Sequence, residues 1–361
     1  MKKNTQQMTC RLNRVGGEAV IEGVMMKCKD NCCTACRDEK GKIKVHERTF
    51  VSIRKKVKFF NLPLIRGVVS FIESMILSFF VLNISAEVMG GEEMQKESKF
   101  EKWMKKHLGV GIFDIIMVIA AILGVALALF LFLYLPTKAG ELFSVLLFGR
   151  NGADGNSHPI IISAIEGVIK IAIFILYMFL VSLMPSIRRV FEYHGAEHKS
   201  IACFESGEEL TPEKAKEYTR FHPRCGTSFM FVMIILGVLI GFAIHLAFPN
   251  FKGIAYAATR LLLLPVVVGL GFEFIMYAGK HNNVFTRALS APGLWMQRIT
   301  TREPDLEELE VAITALKFSM PDEFPDFDRA SFERIVSEKS KKTDPTDEKP
   351  KSDADDIRGK K

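Results

Sequence analysis

The feature that most constrains the fold is a set of four apolar stretches, each long enough to cross a lipid bilayer as a helix. Inside hydrocarbon, a helix satisfies every backbone N–H and C=O group within its own segment. The sequence therefore predicts an α-helical polytopic membrane protein with four transmembrane helices. The stretches run from 111 to 135, from 159 to 184, from 229 to 248 and from 254 to 278.

The composition supports this prediction, because charged and apolar residues are separated along the chain. Charged residues make up 25% and hydrophobic residues 48% of the 361 residues, yet the mean hydropathy is positive, at +0.17. This combination excludes a disordered chain, a disulfide-stapled miniprotein and a simple soluble domain. The net charge of +7 indicates contact with an anionic membrane surface. The expected partner is thus the lipid bilayer and not nucleic acid.

A fifth segment, from 64 to 89, is apolar but is interrupted by Arg66, Glu73 and Glu87. It could cross the membrane, lie in the interface, or enter and leave on one side. If it does not cross, nearly all Lys and Arg residues outside the spans fall on one side, which the positive-inside rule assigns to the cytoplasm. We therefore expect an interfacial or re-entrant helix here. The whole chain is then a multi-pass protein of the cell (inner) membrane with both termini in the cytoplasm.

These patterns divide the chain into six parts. A polar N-terminal segment with glycine-flanked, strand-like residues is expected to be cytoplasmic and β-rich. The C-terminal part begins with an amphipathic helix whose acidic first turn follows Pro304, and it ends in a Lys-, Asp- and Pro-rich tail that we expect to be disordered. The predicted parts are 1–63 (N-terminal segment), 64–89 (interfacial or re-entrant helix), 90–110 (basic linker), 111–278 (four-span domain with a cytoplasmic His-rich loop at 185–228), 279–320 (ordered helical region) and 321–361 (tail).

The loop from 185 to 228 carries the residues with the clearest chemistry. His194 and His198 are four residues apart, so a helix would place both imidazoles on one face at a spacing that suits one metal ion. With Glu197 they match the inverted zinc-protease pattern, in which the glutamate is the general base. The alternative is a polar loop in which these histidines are simply exposed. We interpret Glu197 as the candidate catalytic residue and the histidines as candidate ligands.

Two further candidate ligands follow in the same loop, at His222 and Cys225. Three protein ligands and a water would make a catalytic zinc site, whereas four protein ligands would make a structural one. A cysteine ligand favours zinc over manganese, so the expected cofactor is a divalent metal, with Zn²⁺ preferred. Arg224 could bind an anionic group. Glu273 lies 75 residues beyond His198 and could be a distant ligand, or it could pair with a cation such as Arg260.

Other polar residues are secondary candidates. Glu18 and Glu22 lie between glycines and could reach a cation or the basic loop, or they could be exposed residues of a hairpin. Arg66 and Glu73 share a helix face. If that helix lies inside the membrane, its charged residues indicate a function, whereas in an interfacial helix they would be ordinary surface residues. Glu192 lies close to the two histidines in sequence.

Cysteines are concentrated near the N-terminus. The total of seven is odd, and five precede residue 37, which is typical of a reducing compartment and not of a disulfide framework. Four of them could bind zinc or an iron–sulfur cluster, although two are adjacent, which is a tight arrangement for one tetrahedral site. The alternative is an insertion of free thiols in a hairpin loop. The four are Cys28, Cys32, Cys33 and Cys36.

Several of these motifs together resemble the YqhQ-like family of bacterial membrane proteins. The resemblance extends from about residue 14 to 318, and it implies a predicted metal-dependent enzyme without a defined activity. The four-cysteine segment departs from the pattern. The motifs are GGEAVIEGVMM at 16–26, Arg66-Gly67, Glu73-Ser74, EYHGAEHK at 192–199, HPRCGTS at 222–228 and PGLWMQRITTREP at 292–304.

Two functional hypotheses remain open from the sequence. The first is a metal-dependent membrane enzyme, hydrolytic in class, that acts at the cytoplasmic face on an anionic lipid-linked or peptide substrate. The second is a non-enzymatic scaffold or small-solute transporter, in which a metal or ion pairs only fold the loop. In that case Glu166, Lys170, Arg260 and Glu273 would line a path. The sequence does not specify an oligomeric state.

Overall fold

The computed structural model describes residues 14–90, 112–149, 159–222, 225–248, 253–278, 281 and 283–335. It contains a small N-terminal sheet followed by a predominantly helical chain. The predicted combination of an α-helical protein with an N-terminal β-containing segment is confirmed. The predicted basic linker lies outside the described residues, apart from Gly90.

The sheet is a meander of four antiparallel strands: β1 (Val15–Val20), β2 (Gly23–Cys28), β3 (Asn31–Arg37) and β4 (Ile43–Thr49). Two-residue turns join β1 to β2 and β2 to β3. Glu22, the second residue of the first turn, and Lys29, the first residue of the second turn, have φ values of 49° and 54°, as tight hairpins require. A fifth strand, β5 (Glu333–Arg334), pairs in parallel with β4. The two ends of the described chain therefore meet in one sheet.

The sheet is buried on both faces, so its strands are more apolar than a half-exposed sheet would require. Alternate residues point to opposite faces. Val24 and Met26 belong to a core formed with two helices that follow much later in the chain. Val20 and Met25 pack against the second half of a different helix, through Leu77, Val81 and Val88.

That helix is α2 (Ile65–Met89), preceded by the short α1 (Ile53–Lys56) and a 3₁₀ turn. Its first turn touches the last membrane-length helix, because a Cβ at Gly67 would lie 2.7 Å from Cβ of Phe272 and 3.0 Å from Cα of Gly269. Its second half lies on the sheet. One face of α2 also stays exposed although it is apolar, and it is formed by Phe71, Ile72, Met75, Ile76, Phe79 and Leu82.

Among the described residues, four helices are long and apolar enough to cross a membrane, which agrees with the predicted number. They span Ile65–Met89, Val118–Leu147, Ser163–Ser182 and Ala255–Ala278. The set differs from the prediction, because the predicted stretch 229–248 contains a shorter apolar helix, Phe229–Ile244, and 64–89 passes the length criterion instead. The elements are α3 (Ile112–Leu129), a π turn (Phe130–Tyr134), α4 (Leu135–Phe148), α5 (Pro159–Ser182), α8 (Gly226–Ala247), α9 (Gly253–Leu262) and α10 (Leu264–Ala278).

The region predicted as a polar loop, 185–228, is mostly helical, and that expectation is corrected. It forms α6 (Pro185–Ser206) and the short α7 (Pro212–Lys216). Pro185 occupies the first turn of α6, and Gly207 ends the helix with a φ of 84°, which is typical of a left-handed C-cap. The loop prediction missed α6 because its many polar residues give it a low average hydropathy, although several of them, such as Glu197, His198 and Lys199, are buried.

Two further helices complete the fold. Helix α11 (Val284–Thr300) begins at a capping box of Asn283 and Thr286. Helix α12 (Leu306–Ser319) begins at a capping box of Asp305 and Glu308, so Pro304 precedes the helix and does not form its first turn. Its apolar face packs against the sheet and α6. The partner that the amphipathic pattern requires is thus supplied by the same chain.

The first part of the predicted disordered tail is ordered. Phe324, Phe327 and Phe332 pack against the core below α12, and the rings of Phe327 and Phe332 each lie 5.6 Å from that of Phe318. Closely spaced aromatic residues outweigh the polar composition here, because each buries a large apolar area. The tail beyond residue 335 lies outside the described residues.

Candidate metal centre

Helix α6 brings two histidines to one face, as their spacing predicted. The ring centroids of His194 and His198 are 4.4 Å apart. Cys225, at the N-cap of α8, places its Sγ 3.2 Å from Nε2 of His194. One ligand atom from each of these three residues lies within 4.8 Å of the others. Two helices that are distant in sequence thus converge on a His–His–Cys cluster that could hold a metal ion.

Backbone carbonyl groups orient both rings. Nδ1 of His194 lies 2.8 Å from the carbonyl oxygen of Thr300, and Nδ1 of His198 lies 2.5 Å from that of Arg220. A carbonyl oxygen only accepts, so each Nδ1 must carry the proton that it donates. Each Nε2 then presents a lone pair. Metal-binding histidines are usually oriented in this way.

The cluster satisfies the chemistry of a zinc site with three protein ligands. Two imidazole nitrogens and one thiolate are donors that zinc accepts, and a fourth position would stay open. Cys225 is the N-cap residue of α8, so the position of its thiol is set by the start of that helix. Among the described residues, no ligand atom of a fourth histidine, cysteine or carboxylate belongs to this group.

His222, predicted as a further ligand, lies next to the cluster but outside it. Its ring centroid is 5.4 Å from that of His198, and its side chain is buried. The side chain of Gln297 holds the backbone of this residue from both sides. Its Oε1 accepts from the His222 N–H at 2.8 Å, and its Nε2 donates to the His222 carbonyl at 2.7 Å.

Glu197 is buried on the side of α6 that faces β1. The backbone N–H of Gly17 donates to its carboxylate. The contact is close, since a Cβ at Gly17 would lie only 2.8 Å from Cγ of Glu197. Burial raises the pKa of Glu197 to about 7, and the nearby Glu18 carboxylate adds to this rise, whereas His194 opposes it. The carboxyl group therefore exchanges its proton close to neutral pH.

Glu18 links this carboxyl group to α2. Its Oε2 accepts a hydrogen bond of 2.7 Å from the hydroxyl of Ser78. Burial raises the pKa of Glu18, and the Ser78 bond partly offsets the rise. Glu18 therefore lies beside the candidate catalytic residue, as part of a polar contact between β1, α2 and α6.

Glu22 instead joins a network on the other flank of α6. Nε of Arg189 donates to both carboxylate oxygens of Glu22, at 2.9 and 3.1 Å, and the hydroxyl of Tyr193 donates to it at 3.1 Å. Arg189 also lies 3.1 Å from Glu308 of α12. Burial raises the pKa of Glu308 to about 7. This network fastens the first hairpin to α6 and α12, so Glu22 has a structural position.

The remaining secondary candidates lie in structural contacts. Glu273 forms an ion pair with Arg66, which is the kind of cation pairing that the sequence left open, and it does not belong to the described His–His–Cys group. Glu73 accepts hydrogen bonds from Ser52 and from the N–H of Ile53, which fixes the start of α1. Glu192 pairs with Arg188 on the surface of α6. Arg224 lies outside the described residues.

Residues that the sequence analysis did not single out support the cluster. Glu303 pairs with Lys199 at 2.9 Å and with Arg220 at 2.8 Å. It therefore fixes the irregular segment after α7, whose Arg220 carbonyl orients His198. Thr300 orients His194 through its backbone, so its side chain gave no signal. Glu303 belongs to the motif at 292–304, and its position in that motif was the only feature of the sequence that could have indicated a role near the cluster.

The four N-terminal cysteines do not form a common site. They lie in β2 and β3, not in a loop insertion. Burial raises the pKa of each thiol, to about 11 for Cys32 and about 12 for Cys36. Cys28 and Cys33 face α12, whereas Cys32 and Cys36 face α2, so a single four-thiolate site is excluded. These residues are small buried core side chains.

Comparisons with known proteins agree with the motifs. Residues 62–322 match a family described as "Protein of unknown function (DUF1385)". The chain belongs to this family. It is 34% identical over 304 residues to "Uncharacterized protein YqhQ" of Bacillus subtilis (strain 168), which covers 82% of this chain and 89% of that protein. No solved structure matches. The family description names no activity, so the expected metal-dependent enzyme has no support from these relatives.

Proposed function

We propose that the protein is a metal-dependent membrane enzyme of hydrolytic class whose ion is bound by His194, His198 and Cys225. The observation that carries the proposal is the orientation of the two imidazoles. Backbone carbonyls hold both Nδ1 atoms, which leaves both Nε2 atoms directed to the same small volume as the Cys225 thiol. Zinc fits this donor set and leaves a coordination position open for substrate or water.

A zinc ion bound there would polarise a substrate oxygen and lower the pKa of a coordinated water toward neutrality. The chain itself supplies the acid–base group. Glu197 is buried next to His194, and its pKa of about 7 suits a residue that accepts and returns a proton near neutral pH. The Gly17 N–H holds this carboxyl group in place by donating to it. His222, fixed by Gln297, is a neighbouring positioning residue.

The location of the cluster suggests the substrate. Cys225 immediately precedes the apolar helix α8, and α6 begins three residues after the end of α5. The cluster therefore lies at one end of the membrane-length helices, where a substrate with an apolar anchor and a polar reactive group can reach it. We propose an anionic lipid-linked or peptide substrate, with Arg220 and Lys199 as nearby cationic side chains.

Metal analysis is the first test. Full-length protein purified in mild detergent should contain about one zinc ion per chain, and Cys225→Ala and His198→Ala should lose it. Glu197→Gln should retain the metal, but it should abolish any product formed when the protein is incubated with bacterial lipid extract and followed by mass spectrometry. Absence of a stoichiometric metal in the wild type, or undiminished turnover by Glu197→Gln, would refute the enzyme proposal.

The packing of the sheet also supports a topology. Strand β1 contacts α6, β2 contacts α12 and β4 pairs with β5. These elements form one polar-surfaced unit, which must lie on one side of the membrane because strands with charged residues do not enter hydrocarbon. The chain therefore crosses the bilayer an even number of times between β4 and α6, and again between α6 and α12.

This parity rule supports one choice among the candidate spans. Within the described residues, three helices of sufficient length separate β4 from α6, namely α2, the continuous α3–α4 segment and α5. An even number requires one of them not to cross. Helix α2 is the one whose second half lies on the sheet, so we propose that it lies in the interface with its exposed apolar face toward lipid. Helices α8 and α9–α10 supply the other two crossings.

Four crossings then place both termini and the metal cluster on the same side, which the distribution of Lys and Arg assigns to the cytoplasm. Single cysteines that replace Lys56 before α2 and Glu87 near its end provide the test, in spheroplasts treated with a membrane-impermeant maleimide. Both positions should be protected until the membrane is permeabilised. Labelling of exactly one of the two in intact cells would show that α2 crosses the bilayer.

A further inference from the structure

A buried charged cluster lies within the membrane-length helices, and it shares no residue with the metal cluster. Arg260 of α9 donates through its NH1 group to Oε2 of Glu166 of α5 at 3.0 Å, and these side chains are only 9% and 5% exposed. The guanidinium of Arg260 also lies 5.1 Å from the ring of Tyr256. Charged residues at such positions are rare because hydrocarbon disfavours them, and those that occur are usually functional.

Lys170 adds an unbalanced charge to this pair. It follows Glu166 by one helical turn and is 7% exposed. Within the part of the chain that the structure describes, no hydrogen bond or ion pair reaches its ammonium group. Its electrostatic neighbours are Glu166, which already accepts from Arg260, and Arg260 itself, which repels it. The ionised cluster therefore carries two positive charges and one negative charge.

Glycines in two surrounding helices leave room for the side chains of Glu166 and Arg260. A Cβ at Gly140 of α4 would lie 2.9 Å from Cγ of Glu166, and a Cβ at Gly241 of α8 would lie 3.1 Å from NH2 of Arg260. Ser163 is buried one turn before Glu166 on the same face of α5. The cluster is thus a site that four helices enclose, and not a charge that one helix carries by chance.

The depth of Lys170 favours a small solute over a lipid headgroup. It lies near the middle of α5 (Pro159–Ser182), about 16 to 18 Å from its two ends at the usual helical rise. Lipid phosphates lie outside the hydrocarbon core, more than about 15 Å from its centre. An anion that neutralises Lys170 must therefore enter the bundle itself.

We propose that Lys170, next to the Glu166–Arg260 pair, forms a binding site for a small solute anion inside the helical bundle. A ligand with one negative charge neutralises the excess positive charge of the cluster, and the ammonium group of Lys170 donates hydrogen bonds to it. Such a site suits a protein that passes or senses a small anion, and it does not depend on the metal centre at the end of the bundle.

The test uses the full-length protein in phosphatidylcholine nanodiscs at constant ionic strength. Thermal unfolding is followed while sodium gluconate, whose anion is bulky, is replaced by chloride, acetate or inorganic phosphate. At least one small anion should raise the Tm of the wild type by about 2 to 4 °C, because a ligand that binds only the folded state stabilises it. The rise should be absent in Lys170→Met.

Two further variants make the result specific. Lys138→Met removes an exposed lysine that pairs with Glu141, and it should keep the full anion response. Glu166→Gln increases the positive charge of the cluster, and where it folds it should respond to lower anion concentrations. Equal responses of the wild type and Lys170→Met to every anion would overturn the proposal. So would a shift that is seen only when phosphatidylglycerol replaces phosphatidylcholine, because the site would then bind a lipid headgroup.

Discussion

The contact between Gly17 and Glu197 allows a sharp test of how β1 supports the candidate catalytic residue. A Cβ at Gly17 would lie 2.8 Å from Cγ and 2.9 Å from Oε1 of Glu197. Carbon atoms in contact are normally 3.5 to 4.0 Å apart, so Gly17→Ala produces an overlap of about 0.7 Å or more. Glu197 is 6% exposed, and its side chain therefore has little room to retreat.

Overpacking of this kind typically costs about 1 to 3 kcal/mol. For a chain of this size, about 2 kcal/mol corresponds to a Tm lower by about 3 °C. The substitution touches none of the three proposed metal ligands, so zinc content should remain at the wild-type level. The assay is thermal unfolding in detergent, followed by intrinsic fluorescence, together with metal analysis of the same samples.

The neighbouring residue provides a matched control. A Cβ at Gly16 would meet nothing within 4 Å, so Gly16→Ala should leave the Tm unchanged or raise it slightly, because alanine restricts the unfolded chain. Combining Gly17→Ala with Glu197→Ala should remove the penalty, since the atoms that collide are then absent. The reasoning is refuted if Gly17→Ala and Gly16→Ala unfold at the same temperature, or if the penalty persists in the double variant.

Three further predictions follow from the same structure. Glu303→Ala releases Lys199 and Arg220 and should weaken zinc binding about 10-fold in a chelator competition, because Arg220 orients a ligand. Glu308→Gln tests the raised pKa of Glu308. Since that pKa moves from 4.5 to about 7 on folding, ionisation disfavours the folded state, and wild-type stability should fall relative to the variant as pH rises from about 4.5 to 7, by up to about 3 kcal/mol. Cys33→Ala should lower stability by about 1 kcal/mol and leave zinc content unchanged.

Each of these predictions has a contrary outcome. Glu307→Ala, which alters an exposed carboxylate near Glu303, should leave zinc affinity unchanged, and an equal effect of both variants would contradict the role of Glu303. A stability difference between wild type and Glu308→Gln that is constant from pH 4.5 to 7 would show that Glu308 does not titrate in the folded state. Loss of zinc from Cys33→Ala would contradict the assignment of the ligands to α6 and α8.

The sequence predicted the parts of the site that depend on periodicity. The four-residue spacing of His194 and His198 gives the shared face as soon as the segment is helical. Cys225 was proposed from its proximity in sequence to His222, yet the structure selects Cys225 and leaves His222 beside the cluster. That choice depends on how α8 packs against α6, which local spacing does not encode.

Other parts could not be predicted for physical reasons. The groups that orient the histidines are backbone carbonyls, which every residue has, so Thr300 and Arg220 carry no side-chain signal. The cysteine pattern was misleading because adjacent residues of a strand face opposite ways, and this separates Cys32 from Cys33. Helix α2 is long and apolar enough to span a membrane, but its second half packs on the sheet, and local composition does not encode that packing.

The sheet also has a consequence for how the protein is made. Strands β1 to β4 leave the ribosome first, but α12, which covers one of their faces, and β5, which pairs with their edge, are synthesised more than 250 residues later. Until then the newly synthesised sheet exposes an apolar face and the unpaired edge of β4. Contacts between such distant segments form slowly, and exposed surfaces of this kind promote aggregation. We therefore expect the N-terminal segment to need protection, by a chaperone or by the membrane surface, until the last helix emerges.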